Sequence, residues 1–196
     1  MDETSGTTAF DSAGGHNGTL HNVTLGAPGA PNLLRSFTFN GSAQQSTMTV
    51  PSVAALNPGT ANITASLWVK FTQLPTTGDY DILRKGAATI GGQPGNEYKI
   101  ELLPTGKAYC ELRGTIDHMS ITGTKVLNDG AWHSISCSRT GIGSMTLTVD
   151  NATLTKSLPH SIGSISNSLA FYVGGSLNPV QDFFKGQIDE VSYSSG

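Results

Sequence analysis

An all-β fold, a sandwich or barrel of antiparallel strands, is what this sequence predicts, and three observations carry the prediction. No stretch of the 196 residues holds apolar side chains at i, i+3, i+4 and i+7, so helices should be few and short. Turn signals recur about every 8 to 15 residues, the spacing of many short strands. They run through "SAGGHNG", "FNGS", "LNPGT", "PTTGD", "IGGQPGN", "PTG", "NDG", "TGIGS", "VDN" and "GGSLNP". Between the later turns, apolar and polar residues alternate with period two, as they must on strands with one buried face.

The elements follow in chain order. The glycine-rich opening reads as long loops. The segment "EYKIELLPTGKAYCELRG" reads as a hairpin turning at Pro104, Thr105 and Gly106. With Leu103 facing Lys107, one face pairs Leu102 with Ala108, Ile100 with Cys110 and Tyr98 with Leu112. The other face pairs Lys99 with Glu111 and Glu97 with Arg113, opposite charges worth ~0.2–1 kcal/mol each. Slipping the register by one residue would spoil both patterns.

Residues 127 to 151, "LNDGAWHSISCSRTGIGSMTLTVDN", read as a second hairpin. His133, Ile135 and Cys137 share the inward face, Ser134, Ser136 and Ser138 the outward one. Cys110 and Cys137 therefore both point inward, on strands expected to be neighbours, and a disulfide is predicted between them. An inward His133 reads as a hydrogen-bonded core histidine. His16, His21, His118 and His160 have no second His or Cys at metal spacing.

Charged residues make up 13% of the chain and the net charge is −3, which gives no electrostatic footprint for nucleic acid or an anionic membrane surface. The apolar runs are short and broken by Thr, Ser and Gly, so membrane insertion is not expected. Asn17, Asn22, Asn40, Asn62 and Asn151 each open an N-x-Ser/Thr sequence, which a chain this rich in Ser and Thr produces by chance.

Taken in order, "DETSGTTAFDSAGGHNGTL", "SFTFNGS", "ITASLWVKF", "DGAWHSISCSRT", "LTVDN", "AFYVGG" and "FKGQIDEVSYS" resemble the laminin-G-like or concanavalin A-like jelly-roll modules of bacterial, actinobacterial-type extracellular proteins. The resemblance spans nearly the whole chain. It implies a two-sheet antiparallel jelly-roll sandwich, a single domain over residues 1–196, and a module cut from a longer protein whose other domains are its covalent partners. It implies an extracellular location, secreted or at the cell surface, with no signal segment in this chain. It also implies that Trp132 is a core residue at a strand entrance.

Enzymes of this fold carry an E-x-D-x-(x)-E strand that sets two carboxylates on one face. This sequence has none, and in "QIDEV" the adjacent Asp189 and Glu190 point to opposite faces of a strand. There is no lyase-type "QIH", no G-x-S-x-G and no phosphate loop. The expectation is a protein that is not an enzyme. The resemblance implies a structural Ca²⁺ where the opening loop meets the last strand, with Asp11, Asn17 and Asp189 as its oxygen donors.

The leading functional expectation is a carbohydrate-binding or cell-surface-recognition module whose partner is a polysaccharide or surface glycan. Its site would use Tyr109 with Lys99, Glu101 and Arg113 on the polar face of the first hairpin, and Tyr80, Arg84 and His118 from loops. The alternative is a protein-interaction or spacer domain, of adhesin or phage-tail type, that binds no sugar.

Overall fold

The structure is a computed structural model that describes residues 1–41, 46–177 and 180–196. Ser42 of "FNGS" and the closing residues of "GGSLNP" lie outside the described residues. The chain opens with β1 (Thr8–Ala9), β2 (Gly18–His21), β3 (Thr24–Pro28), β4 (Arg35–Asn40) and β5 (Thr47–Val50), and a short 3-10 turn at Ala54–Leu56 leads to β6 (Ile63–Lys70) and β7 (Tyr80–Gly86). A small hairpin of β8 (Thr89–Ile90) and β9 (Gln93–Pro94) precedes β10 (Glu97–Leu102), β11 (Lys107–Arg113) and β12 (His118–Val126). Then come β13 (His133–Thr140), β14 (Ser144–Val149), β15 (Ala152–Ser157), β16 (Phe171–Val173), β17 (Ser176–Leu177), β18 (Val180–Gln181) and β19 (Lys185–Ser195).

Two large antiparallel sheets hold fifteen of these strands, and β8 with β9 and β17 with β18 form two small two-stranded sheets of their own. Of the large sheets, one has the order β1-β2-β5-β16-β7-β10-β11-β12, the other β15-β14-β13-β6-β19-β4-β3. Neighbours distant in sequence, such as β16 with β5 and β7, give the interleaved path of a jelly-roll sandwich rather than a simple meander.

The inward faces are the ones that alternation marks. Ile63, Ala65, Leu67 and Val69 of β6, Ile135 and Cys137 of β13, and Met145, Leu147 and Val149 of β14 are all buried. From the opposite sheet come Tyr98, Ile100 and Leu102 of β10, with Ala108, Cys110 and Leu112 of β11. Phe184 meets the rings of Phe39, Phe71 and Tyr80, the last edge-on at 5.4 Å between centroids. Gly174 must be glycine here: its φ is +80° and a Cβ would lie 2.2 Å from a Phe39 ring carbon.

The first hairpin has the register read from its pattern, from Glu97 opposite Arg113 to Leu102 opposite Ala108. Its turn closes through the Leu103 N–H donating to the Lys107 carbonyl at 2.9 Å, with Gly106 at φ +74°. Cys110 and Cys137 form a disulfide with Cα atoms 6.1 Å apart. The pairing is as expected but the geometry is not. β11 and β13 belong to different sheets, so the bridge crosses the core instead of linking neighbours along a ladder.

Trp132 is also a correction. It is half-buried and lies outside the core, and His133 takes the inward place beside it. The cause is parity, because Trp132 lies two residues before the outward Ser134. His133 is 2% exposed, with Nδ1 3.0 Å from Asp150 and Nε2 3.0 Å from Asp129, the hydrogen-bonded core histidine expected. Among the described residues, no helix is long and apolar enough to cross a membrane.

Candidate functional site

The outward face of β7, β10 and β11 gathers most of the residues singled out in the sequence. In β10, Glu97, Lys99 and Glu101 share this face because Tyr98, Ile100 and Leu102 are claimed by the core. In β11, Tyr109, Glu111 and Arg113 do the same. From β7 comes Arg84, directly opposite Lys99. A bulge then shifts the register, leaving Ile82 unpaired and setting Asp81 opposite Glu101. Tyr172 of β16 stands opposite Arg84 on the other side.

These side chains form one ionic network. The Arg84 guanidinium lies 3.0 Å from Asp81 and 2.7 Å from Glu97. Lys99 sits 2.6 Å from Glu101 and 3.7 Å from Glu111, while Arg113 lies 2.7 Å from Glu111. The two predicted cross-strand pairs are present but loose, at 3.7 Å for Lys99 with Glu111 and 3.8 Å for Arg113 with Glu97. Arg84, unseen by any two-strand argument, takes Glu97 as its close partner.

The network is not a solvated surface. Glu97 and Asp81 are 0% exposed, Glu101 3% and Arg84 4%. Burial pushes the Glu101 carboxyl up to about 8, and neighbouring Asp81 adds to the rise against the pull of Lys99. Burial likewise raises Asp79 and Asp81, and lifts Asp182 to about 6. The carboxylate oxygens of Asp79, Asp81 and Glu101 lie within 4.8 Å of one another, with Arg84 and Lys99 supplying the compensating charge.

Tyr109 is the half-buried ring at the edge of this network. Its hydroxyl donates to Glu111 at 2.9 Å, and Lys99 Nζ lies 5.8 Å from the ring centroid. The Arg113 side chain is 29% exposed beside it. Arg113 Nε and Glu97 Oε1, 3.8 Å apart, are buried and have no hydrogen-bond partner. His118, opposite Arg113 in β12, is exposed and extends the face toward its edge.

Two expectations change here. Tyr80, Arg84 and His118 are not loop residues: the first two lie in β7 and His118 opens β12. Tyr80 faces the core, 6% exposed against Phe184, so its ring is unavailable to a ligand. Arg84 is committed to its two carboxylates. Tyr172 and Asp81 were missed. Alternation in "AFYVGG" puts Tyr172 outward between Phe171 and Val173, but nothing in the sequence signals the bulge that delivers Asp81.

The structure shows Asp11, Asn17 and Asp189 each in a hydrogen-bonding role of its own. The Asp11 carboxylate accepts N–H bonds from Ala13, Gly14 and His16 within its own loop, and Asn17 accepts the N–H of Asp11. Asp189, on the other sheet, accepts the N–H groups of Ala30 at 2.9 Å and Glu190 at 2.8 Å.

Comparison with known proteins follows the fold. Residues 40–195 match the Laminin_G_3 family, described as the concanavalin A-like lectin/glucanases superfamily. No curated protein sequence matches the chain. Domain 4 of AbnA, an extracellular arabinanase from Geobacillus stearothermophilus solved with arabinotriose, is 21% identical with a TM-score of 0.64, covering 95% of this chain and 86% of that one. The binding domain of Paraclostridial Mosquitocidal Protein 1 is 15% identical with a TM-score of 0.68, covering 96% and 46%. Domains LG4-5 of the mouse laminin α1 chain are 18% identical with a TM-score of 0.60, covering 82% and 42%. This chain thus spans less than half the length of the last two.

Proposed function

The chain belongs to the concanavalin A-like lectin/glucanase superfamily, and on that premise we propose that it is a non-catalytic glycan-binding module of a secreted or surface protein, working beside other domains. The carrying observation is the edge of the ionic network. There a half-buried tyrosine ring lies at the edge of a loose ion pair, Arg113 Nε and Glu97 Oε1 at 3.8 Å, whose buried donor and acceptor make no hydrogen bond. Buried polar atoms without partners call for an explanation. A sugar hydroxyl, donor and acceptor at once, can satisfy both once the part-exposed Arg113 side chain swings aside, and the adjacent ring offers its apolar face to the C–H side of the sugar.

The fixed charges state a preference. Arg84, Lys99 and Arg113 are matched by Asp79, Asp81, Glu97 and Glu111 even with Glu101 holding its proton, so the face has no surplus of positive charge to draw in uronic or sulfated glycans and suits neutral ones. The arabinotriose bound by the arabinanase domain is a neutral oligosaccharide, which supports the reading by analogy of fold. Cys110–Cys137 supports an oxidising, extracellular setting. The competing reading, a protein-interaction or spacer domain, draws on the mutual pairing of most charges in the network. A glycan array followed by calorimetry on native protein and Tyr109→Ala separates the two: retention of neutral glycans that the variant loses supports the lectin reading, and silence across the array supports the spacer.

A further inference from the structure

We propose that the outward face of the seven-stranded sheet carries a second carbohydrate contact surface, centred on Trp68 and suited to a neutral, hydroxyl-rich chain. It does not depend on the site around Tyr109, which belongs to the other sheet.

The argument begins with parity in β6. Ile63, Ala65, Leu67 and Val69 are buried, so Ser66 and Trp68 face outward. Trp68 stands opposite Ser134 of β13 on one side and Asp189 of β19 on the other, and Ser66 stands opposite Ser136 and Ser192. A bulge between Asp189 and Ser192 interrupts β19. Within it Glu190 is exposed and adopts φ +48°, a left-handed conformation uncommon for a residue without a short polar side chain. Bulges of this kind re-aim a side chain, and here Glu190 lines the same depression as the indole.

That depression has a volume of about 350 Å³ and is lined by Trp68, Glu190, Ser66, Ser134, Ser136 and Ser192 among others. Among the described residues, neither the Trp68 indole N–H nor the Glu190 carboxylate has a partner. Ser66 and Ser192 share a hydrogen bond of 2.8 Å, leaving their remaining capacity to an occupant.

Charge complementarity selects the occupant. The only charge in the lining is the Glu190 carboxylate, without a counter-ion, so a uronic or sulfated chain would be repelled. A flat aromatic surface beside a floor of serine hydroxyls matches a sugar ring, whose C–H face stacks while its hydroxyls both donate and accept. A volume near the lower end of small-molecule sites fits a short stretch of chain crossing an open sheet.

The sequence contains two tryptophans, which makes the test direct. In a Trp132→Phe protein the sole indole is Trp68. Arabinotriose, xylotriose and cellotriose are titrated to roughly 10 mM, a range that captures millimolar binding. The proposal expects at least one to change the Trp68 emission saturably. It also expects the same response in a Tyr109→Ala, Trp132→Phe protein, and at least a threefold weaker affinity after Glu190→Gln. Calorimetry on Trp68→Ala, checked for folding by circular dichroism, should lose the corresponding binding. Unchanged emission with all three sugars overturns the proposal. So does a response abolished by Tyr109→Ala, or one evoked only by a basic peptide such as oligolysine, which would mark a protein-binding face.

Discussion

Breaking the Cys110–Cys137 bridge should lower stability by an amount that follows from its position. The two cysteines are 27 residues apart in sequence. Closing a loop of that length removes roughly 3.5 kcal/mol of chain entropy from the unfolded state. Unfolding entropy of about 2.1 cal/mol/K per residue over 196 residues gives roughly 0.4 kcal/mol/K, so reduction should lower the melting temperature by about 8–9 °C. A Cys110→Ala, Cys137→Ala protein should fall further, by roughly another 1–2 kcal/mol, because both sulfurs are buried and their removal leaves a void. The assay is scanning calorimetry with and without reductant, paired with mass measurement after alkylation of unreduced protein. A shift below about 2 °C would refute the loop-closure reasoning. Two alkylated thiols in native protein would refute the bridge itself.

The remaining predictions concern buried polar groups. Glu101, held near 8, and Asp182, held near 6, keep protons in the folded state at pH values where the unfolded chain has released them. The folded state therefore binds more protons between about pH 4.5 and 8, and stability falls as pH rises through that window. The melting temperature at pH 5 should exceed that at pH 8, with the gap narrowed by Glu101→Gln; the opposite order would contradict the burial argument. Lys85, its ammonium lowered to about 8 by burial, donates to Ser52, Asn57, Asn167 and Leu169 with no carboxylate among these partners. Lys85→Met should cost roughly 3 kcal/mol by stranding those acceptors, and a neutral result in denaturant melts would show that water replaces the ammonium. Asp189→Ala should cost about 2 kcal/mol by orphaning the N–H groups of Ala30 and Glu190, equally with and without chelator. A loss that appears only without chelator would support the calcium reading.

How much of this was legible in the sequence depends on how local each signal is. The hairpin around Pro104 was legible because two patterns, apolar on one face and charged on the other, demanded one register. The inward direction of Cys137 was legible from Ile135 beside it. Parity does not say which sheet a strand joins, and so the bridge was expected along a ladder when it spans the core. Trp132 shows the same limit from the other side: a motif resemblance placed it inside while its own parity with Ser134 placed it out. The charged face was recognised, but its burial depends on Arg84 and Asp81 arriving from β7, and a two-strand reading contains no term for a third strand or its bulge. Trp68 lay in plain alternation within "ITASLWVKF" and was read only as part of a family pattern. Lys85 sits in a strand whose seven residues are all buried, where period-two reasoning gives no contrast to read.

The central claim is that the chain binds a neutral glycan on the outward face of its eight-stranded sheet, around Tyr109. Isothermal calorimetry of native protein and Tyr109→Ala with a neutral oligosaccharide retained on the array tests it most directly. Tyr109 is half-buried and its hydroxyl is bonded to Glu111, so the variant should remain folded while losing roughly 1–2 kcal/mol of stability. The account predicts at least a tenfold weaker affinity in that folded variant, with the preference against uronic and sulfated chains unchanged. Undiminished affinity in folded Tyr109→Ala would contradict it.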